Sequence, residues 1–306
     1  MQTVRKKFKA EPFLFHTFNY LIMLLLVVVT LYPFLNTLAI SFNAGVDTTR
    51  GGIYIWPREW TLKNYEAVFL TGNVIDAFWV SVARTVIGTV ASVFLTAMLA
   101  YTISRKEFMF RKPVTLLFVL TMYFSAGLIP SFFLIKDLNL LNNFLVYILF
   151  PGATAGLVSA FNMLVVRTYM HTLPESLVES AKMDGAGDFK VFISIILPLC
   201  TPVLATISLF TAVFQWNQWF DTFIFASSKQ ELSTLQYELI RLLSSSVNFN
   251  SNPNVSSTAA KDLATLVTPL SIRAAITIVA SIPILVVYPL LQRHFVSGLK
   301  LGGVKE

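Results

Sequence analysis

Charge is scarce in this 306-residue chain: Asp, Glu, Lys and Arg make up 13% of it, about half of the roughly 25% typical of soluble proteins. With 55% hydrophobic residues and a mean hydropathy of +0.68, the chain is neither a water-soluble globule nor a disordered or collagen-like one. Its 27 phenylalanines cannot be hidden by so little polar cover. Cysteine is nearly absent. Cys200 alone excludes an internal disulfide framework, and no Cys/His cluster has zinc spacing. The three histidines, His16, His171 and His294, have no carboxylate at triad or metal spacing, which argues against catalytic or metal roles. A Gly-x-x-x-x-Gly-Lys-Ser/Thr phosphate loop is missing too. So are the alternating ten-residue strands of a membrane barrel.

What is present is apolar runs. A helix crossing a hydrocarbon core about 30 Å thick needs about 20 mostly apolar residues. Six stretches qualify: Asn19–Leu38, Ala77–Ile103, Val114–Leu134, Phe144–Val166, Ile195–Phe214 and Ile272–Leu291. The expectation is an all-α membrane protein of six transmembrane helices. Residues 1–18 form an N-terminal segment, 19–292 the membrane domain and 293–306 a C-terminal tail. The first stretch follows Arg5–Lys9 like a signal peptide but is long for one and lacks a small-x-small cleavage site, so it reads as an uncleaved anchor.

The net charge of +7 follows topology and does not mark a nucleic-acid surface. Arg5, Lys6, Lys7 and Lys9 precede the first stretch, and Arg105, Lys106, Arg111 and Lys112 join the second and third. Arg167, Lys182 and Lys190 lie between the fourth and fifth, and Arg293, Lys300 and Lys305 follow the sixth. By the positive-inside rule these loops and both termini are cytoplasmic. The opposite segments, near 43–75 and 221–271, are rich in Gly, Ser, Asn and Thr. Within the second, the run Ser244–Asn254 reads as a loop, either a surface for an outside partner or a flexible connector.

One cytoplasmic stretch, 170–198, is neither apolar nor loop-like. Pro174 suits a first helical turn, and Pro174, Leu177, Val178 and Ala181 form one apolar stripe. Asp184-Gly185 and Gly187 punctuate. Asp188 caps a second helix with the stripe Phe189, Phe192, Ile193 and Ile196, and Pro198 and Pro202 then impose a kink. A helix this short is marginal alone. Periodicity leaves two readings, an internal brace and a grip on a cytoplasmic partner.

Glu179-Ser180-Ala181, three residues, Gly185, nine residues, Ile195, one residue and Leu197-Pro198 resemble the "EAA" loop of permease subunits in bacterial ATP-binding-cassette (ABC) importers, with serine in place of the first alanine. Trp216-Asn217, Trp56-Pro57 with Leu62-Lys63-Asn64-Tyr65, and the closing segment from Pro283 to Lys305 are similar to sugar permeases. The closing segment is similar to an oligosaccharide-uptake branch whose relatives handle plant-polysaccharide fragments.

The resemblance implies a type I importer transmembrane domain in the bacterial cell membrane. ATP and magnesium would be bound by two copies of a partner ATPase and not by this chain. A second permease would complete a heterodimer, and an extracytoplasmic binding protein would deliver the solute. Glu179, Ser180, Ala181, Asp184, Gly185, Ala186, Leu197 and Pro198 would form the ATPase-docking loop. Glu179 would pair with a basic residue of the ATPase, and Gly185 would make the tight turn.

Gln215, Asn217 and Gln218 offer amides, and Trp216 and Trp219 offer ring faces, which suits sugar hydroxyls and C–H faces. An interfacial aromatic belt with helix–helix hydrogen bonds is the competing reading. Arg84, inside the second stretch, is expected to snorkel outward or pair with Asp76. Gly152-x-x-x-Gly156 followed by Ala160 reads as a small-residue packing face. Rival functions are an ABC permease for a non-sugar solute and an ion-coupled carrier, which would want mid-membrane ionisable groups and paired repeats.

Overall fold

The computed structural model describes residues 10–71, 73–153, 156–246 and 267–302. Among these the regular structure is helical. No strand forms, and an isolated bridge pairs Asn43 with Trp60. Three helices are long and apolar enough to cross a membrane, and up to five segments are if each of two bent pairs is one span.

The α-helices, in chain order, are α1 (Ala10–Ser41), α2 (Gly45–Thr48), α3 (Lys63–Thr71), α4 (Val74–Ser104), α5 (Arg111–Tyr123), α6 (Leu128–Asp137), α7 (Leu145–Leu149), α8 (Ala160–Met170), α9 (Ser176–Met183), α10 (Asp188–Val191), α11 (Leu197–Leu199), α12 (Thr201–Asn217), α13 (Leu235–Ser246) and α14 (Pro269–Gly302). The first, second and sixth apolar stretches lie within α1, α4 and α14. The third is two helices, α5 and α6, bent by 119° with Gly127 at φ 84° between them. The fifth is bent by 82° at Cys200, where Pro198 and Pro202 withhold backbone donors.

The fourth stretch departs most from expectation. Phe144–Val166 is not one helix: α7 ends at Leu149, a 3-10 turn occupies Pro151–Ala153, and helix resumes at Ala160. Gly152 sits at φ 71°, so the Gly152/Gly156 face proposed from spacing does not exist as a helical face. Hydropathy measures composition and is blind to such a break.

The chain divides into two compact units, one of residues 1–71 and 243–279, the other of 72–242 and 280–306. In the first, the segment after α1 is a hydrogen-bonded knot and not a slack connector. The Asn43 side-chain oxygen accepts from the backbone N–H of Arg58 (2.8 Å) and of Glu59 (2.9 Å), while its amide donates to Asp47. That donation, reinforced by Arg58, holds the Asp47 carboxyl below its ordinary value. Of the run Ser244–Asn254 expected as loop, Ser244–Ser246 instead close helix α13, and residues 247–254, like Arg5–Lys9 and the tail beyond Gly302, lie outside the described residues.

The second unit is built on α4. Its buried small residues Ala77, Ser81, Gly88, Ser92, Thr96 and Ala100 recur mostly every fourth position, so neighbouring helices can approach closely. α12 and α8 lie along it. At one end of α4 an apolar cluster joins Ala97, Tyr101 and Ile103 to Met163, Val166 and Met170 of α8, Val178 and Ala181 of α9, and Phe192, Ile196 and Cys200. Arg84 and its buried polar partners lie nearer its other end.

Candidate functional site: the elbow and a buried charge cluster

The elbow is α9 and α10 with the turn between them. Ala186 N–H donates to the Ala181 carbonyl (2.9 Å) and Gly185 N–H to the Lys182 carbonyl (3.0 Å), with Gly185 at φ 80°. These two bonds with a left-handed residue form a Schellman stop, which satisfies carbonyls that the helix end leaves bare.

Ion pairs tie the elbow to the turn after α4. Lys182 Nζ donates to Glu107 (2.7 Å) and contacts Asp188 (3.1 Å), and Lys106 Nζ donates to Glu175 (2.7 Å). The hydrogen bond from Lys106 lowers the Glu175 carboxyl, and the bonds to Glu107 and Asp188 raise the Lys182 ammonium. These groups are largely exposed, and such surface pairs stabilise by only about 0–1 kcal/mol each. They orient the elbow more than they hold it.

The apolar stripes divide between two faces. Val178 and Ala181 are buried in the cluster beneath α9, whereas Leu177 is 40% exposed and Met183 88%. In the second stripe Phe192 and Ile196 are buried, but Phe189 is 64% exposed and Ile193 also faces outward. The phase slips because Phe192–Ile196 is a π-turn in which Leu197 N–H reaches back to Phe192. A wider turn rotates the residues before it out of register. Both readings of the stretch thus have atoms behind them: a braced inner face, and an outer face with unpartnered apolar side chains. Glu179, Ser180, Asp184 and Pro198 lie exposed on the elbow, and Ala186 and Leu197 are half-buried.

The five residues proposed for a solute path do not form one surface. Gln215 is buried, donating to the Tyr147 carbonyl (3.4 Å) and accepting from Arg84 Nε (2.9 Å). Trp216 is buried too, its indole N–H reaching the Ala280 carbonyl (3.4 Å) in the turn that Pro283 loosens. Asn217 and Gln218 share a groove of about 450 Å³ with Phe210 and Phe214. Trp219 packs on the rings of Phe220 and Phe223.

Arg84 neither snorkels nor pairs with Asp76. It is fully buried against Asp221, which is also fully buried. Arg84 Nη1 donates to Asp221 Oδ1 (3.0 Å) and Nη2 to Oδ2, the two-pronged geometry that a guanidinium and a carboxylate favour. Nη1 also reaches the Gln218 carbonyl (3.3 Å), and the guanidinium lies over the Tyr147 ring at 4.8 Å. Asp221 accepts in addition from Gly152 N–H (3.1 Å) and Thr222 N–H (2.8 Å). Asp221 belongs to a segment assigned to an outer loop, 137 positions from Arg84, and no sequence window joins the two. The one visible signal was an Arg unmatched within its own apolar run. Among the described residues no group of His, Cys, Asp and Glu is placed to hold a metal.

No family model matches the chain. Full-length relatives do. The chain is 35% identical over 294 residues to the polygalacturonan/rhamnogalacturonan transport system permease protein YtcP of Bacillus subtilis strain 168, covering 95% of this chain and 98% of that one. It is 34% identical over 280 residues to protein LplC of the same organism, 90% of each chain. It is 30% identical over 300 residues to the galactooligosaccharides transport system permease protein GanQ, also from that organism, covering 94% of this chain and 95% of that one. Among solved structures, a bacterial ABC transporter involved in import of the acidic polysaccharide alginate contains a chain with a TM-score of 0.81 at 26% identity, covering 95% of this chain and all of that one.

Proposed function

The chain belongs to the permease subunits of ABC importers for sugars and oligosaccharides, a transport subunit and not itself an enzyme, and from that premise we propose how its parts serve import. It crosses the bacterial cell membrane six times with both termini in the cytoplasm, the broken segments α5–α6, α7–α8 and α11–α12 counting as spans. It pairs with a second permease and receives its cargo from an extracytoplasmic binding protein. The cargo is an oligosaccharide cut from a plant polysaccharide, a reading supported by the substrates named for YtcP and GanQ.

The elbow docks on the partner ATPase. The observation that carries this is a small helical turn whose one face, Val178 and Ala181, is anchored in the apolar cluster while Leu177, Met183 and Phe189 stand exposed and free to be covered by another chain. Closure of two ATPase copies around ATP would then displace two elbows and tilt the spans. Asn217 and Gln218, with the rings beside them, are the side chains placed to meet a sugar. The test is ATP-driven uptake by the complex in proteoliposomes, with a panel of oligosaccharides presented by the binding protein. Uptake of plant-derived oligosaccharides supports the reading; uptake of none of them under ATP refutes it. A carrier coupled to ions would stop when the ion gradient is collapsed, whereas this importer would continue.

A further inference from the structure

We propose that Arg84 and Asp221 are a positioning pair that carries motion from the elbow to the far end of the transmembrane bundle. This rests on the function proposed above. The elbow joins α12 through the 82° bend at Cys200, and α12 is a rod of 17 residues, about 25 Å long at 1.5 Å per residue. Alone, such a rod joined at a bend could pivot. It does not stand alone, because α4 lies along it and the two are tied at both ends. At the elbow end the tie is the apolar cluster in which Tyr101 and Ile103 of α4 join Phe192, Ile196 and Cys200, just ahead of α12, and Val203 and Ile207 within it. At the far end it is the guanidinium of Arg84, which holds Gln215 of α12, the Gln218 carbonyl just beyond it, and both oxygens of Asp221.

Two further pieces hang on that second tie. Asp221 takes the N–H of Gly152 in the broken fourth segment, and Arg84 lies on the ring of Tyr147 in α7. A displacement entering at the elbow therefore reaches the Asn217–Asp221 turn and the Leu145–Ala153 segment together. Neutralisation alone does not account for this arrangement, since an apolar pair would need no charge at all. A planar five-donor group and a carboxylate fix direction as well as distance. Gly88 belongs to the same device. A Cβ there would meet Gln215 Nε2 at 2.5 Å, so the bare backbone of Gly88 gives the Gln215 amide the room it occupies beside Arg84.

The test uses the full complex with partner permease and ATPase, in which Cys200→Ser and Asn217→Cys leave this chain one thiol, beside Gln218, and labelling is read on this chain alone. The rate of maleimide labelling is read with and without ATP and vanadate. With Arg84 and Asp221 intact, ATP is expected to change the rate by about five-fold or more, the low end for coupled sites. In Arg84→Met/Asp221→Leu the change is lost while ATP is still hydrolysed. Arg84→Lys, which keeps the charge but not the two-pronged contact with Asp221, shows the same loss, so the pair is judged even if the double variant fails to insert. An undiminished ATP response in either variant, or no response with the pair intact, overturns the proposal. Failure of the ATPase to co-purify counts against the proposed function; co-purification without transmission counts against the pair.

Discussion

Gly88 and Gln215 approach so closely that a Cβ on Gly88 would lie 2.5 Å from the Gln215 amide nitrogen and 3.0 Å from its carbonyl carbon. Gly88→Ala forces the Gln215 amide to shift, and the account predicts that its bond to Arg84 is lost with the shift. A hydrogen bond to a charged group contributes about 1.5–3 kcal/mol, so the purified complex should melt at a lower temperature by that equivalent. Gln215→Ala should cost a similar amount, and combining the two should add little.

Asp221→Asn alone leaves Arg84 buried with its charge uncompensated. Breaking one side of a buried pair costs about 3–5 kcal/mol, whereas exchanging both partners for apolar residues is often neutral. The single variant should therefore be scarce in membranes by immunoblot, and Arg84→Met/Asp221→Leu should return to near the parental amount.

Gly185 holds φ 80° and donates to the Lys182 carbonyl. Proline can do neither. Gly185→Pro should leave the chain inserted but abolish uptake while ATP hydrolysis by the complex continues uncoupled. Gly185→Ala keeps the N–H and bears a left-handed penalty of about 1–2 kcal/mol, so it should reduce uptake only partly.

The ion pairs of the elbow set a pH window. Glu175 is shifted below its ordinary 4.5 and Lys182 above its ordinary 10.5. A depressed carboxyl contributes above its unfolded value and is lost as pH falls through the folded one. A raised ammonium contributes below its unfolded value and is lost as pH rises through the folded one. A spin label placed by Met183→Cys should thus show constant mobility from mildly acidic to mildly alkaline pH and loosen at both extremes.

The runs that became α1, α4 and α14 were legible because an unbroken apolar stretch admits little besides helix in a membrane. The elbow was legible from spacing in the glycine that stops α9 and the prolines that bend its exit. Its helix starts were not: α9 begins at Ser176, beyond Pro174, and Gly187 rather than Asp188 holds the cap position of α10, with no side-chain capping bond. The break at Pro151–Gly152 was not, because its cause is a backbone angle and a hydrogen bond to Asp221. The outward turn of Phe189 and Ile193 was hidden for a related reason: a π-turn changes the period that stripe-reading assumes constant. The path residues were half legible. Their chemistry was plain, but burial of Gln215 and Trp216 depends on Arg84 and Ala280, which lie 131 and 64 positions away. The small residues along α4 were in plain view, and Arg84 among them was the clue to a distant acidic partner.

The central claim, that the elbow is the docking point for an ATPase, is tested most directly by photocrosslinking in cells from Met183, the most exposed apolar side chain of the elbow. The account predicts an adduct with an ABC ATPase whose yield shifts when ATP hydrolysis is blocked. Adducts confined to lipid and to the chain's own segments would contradict it.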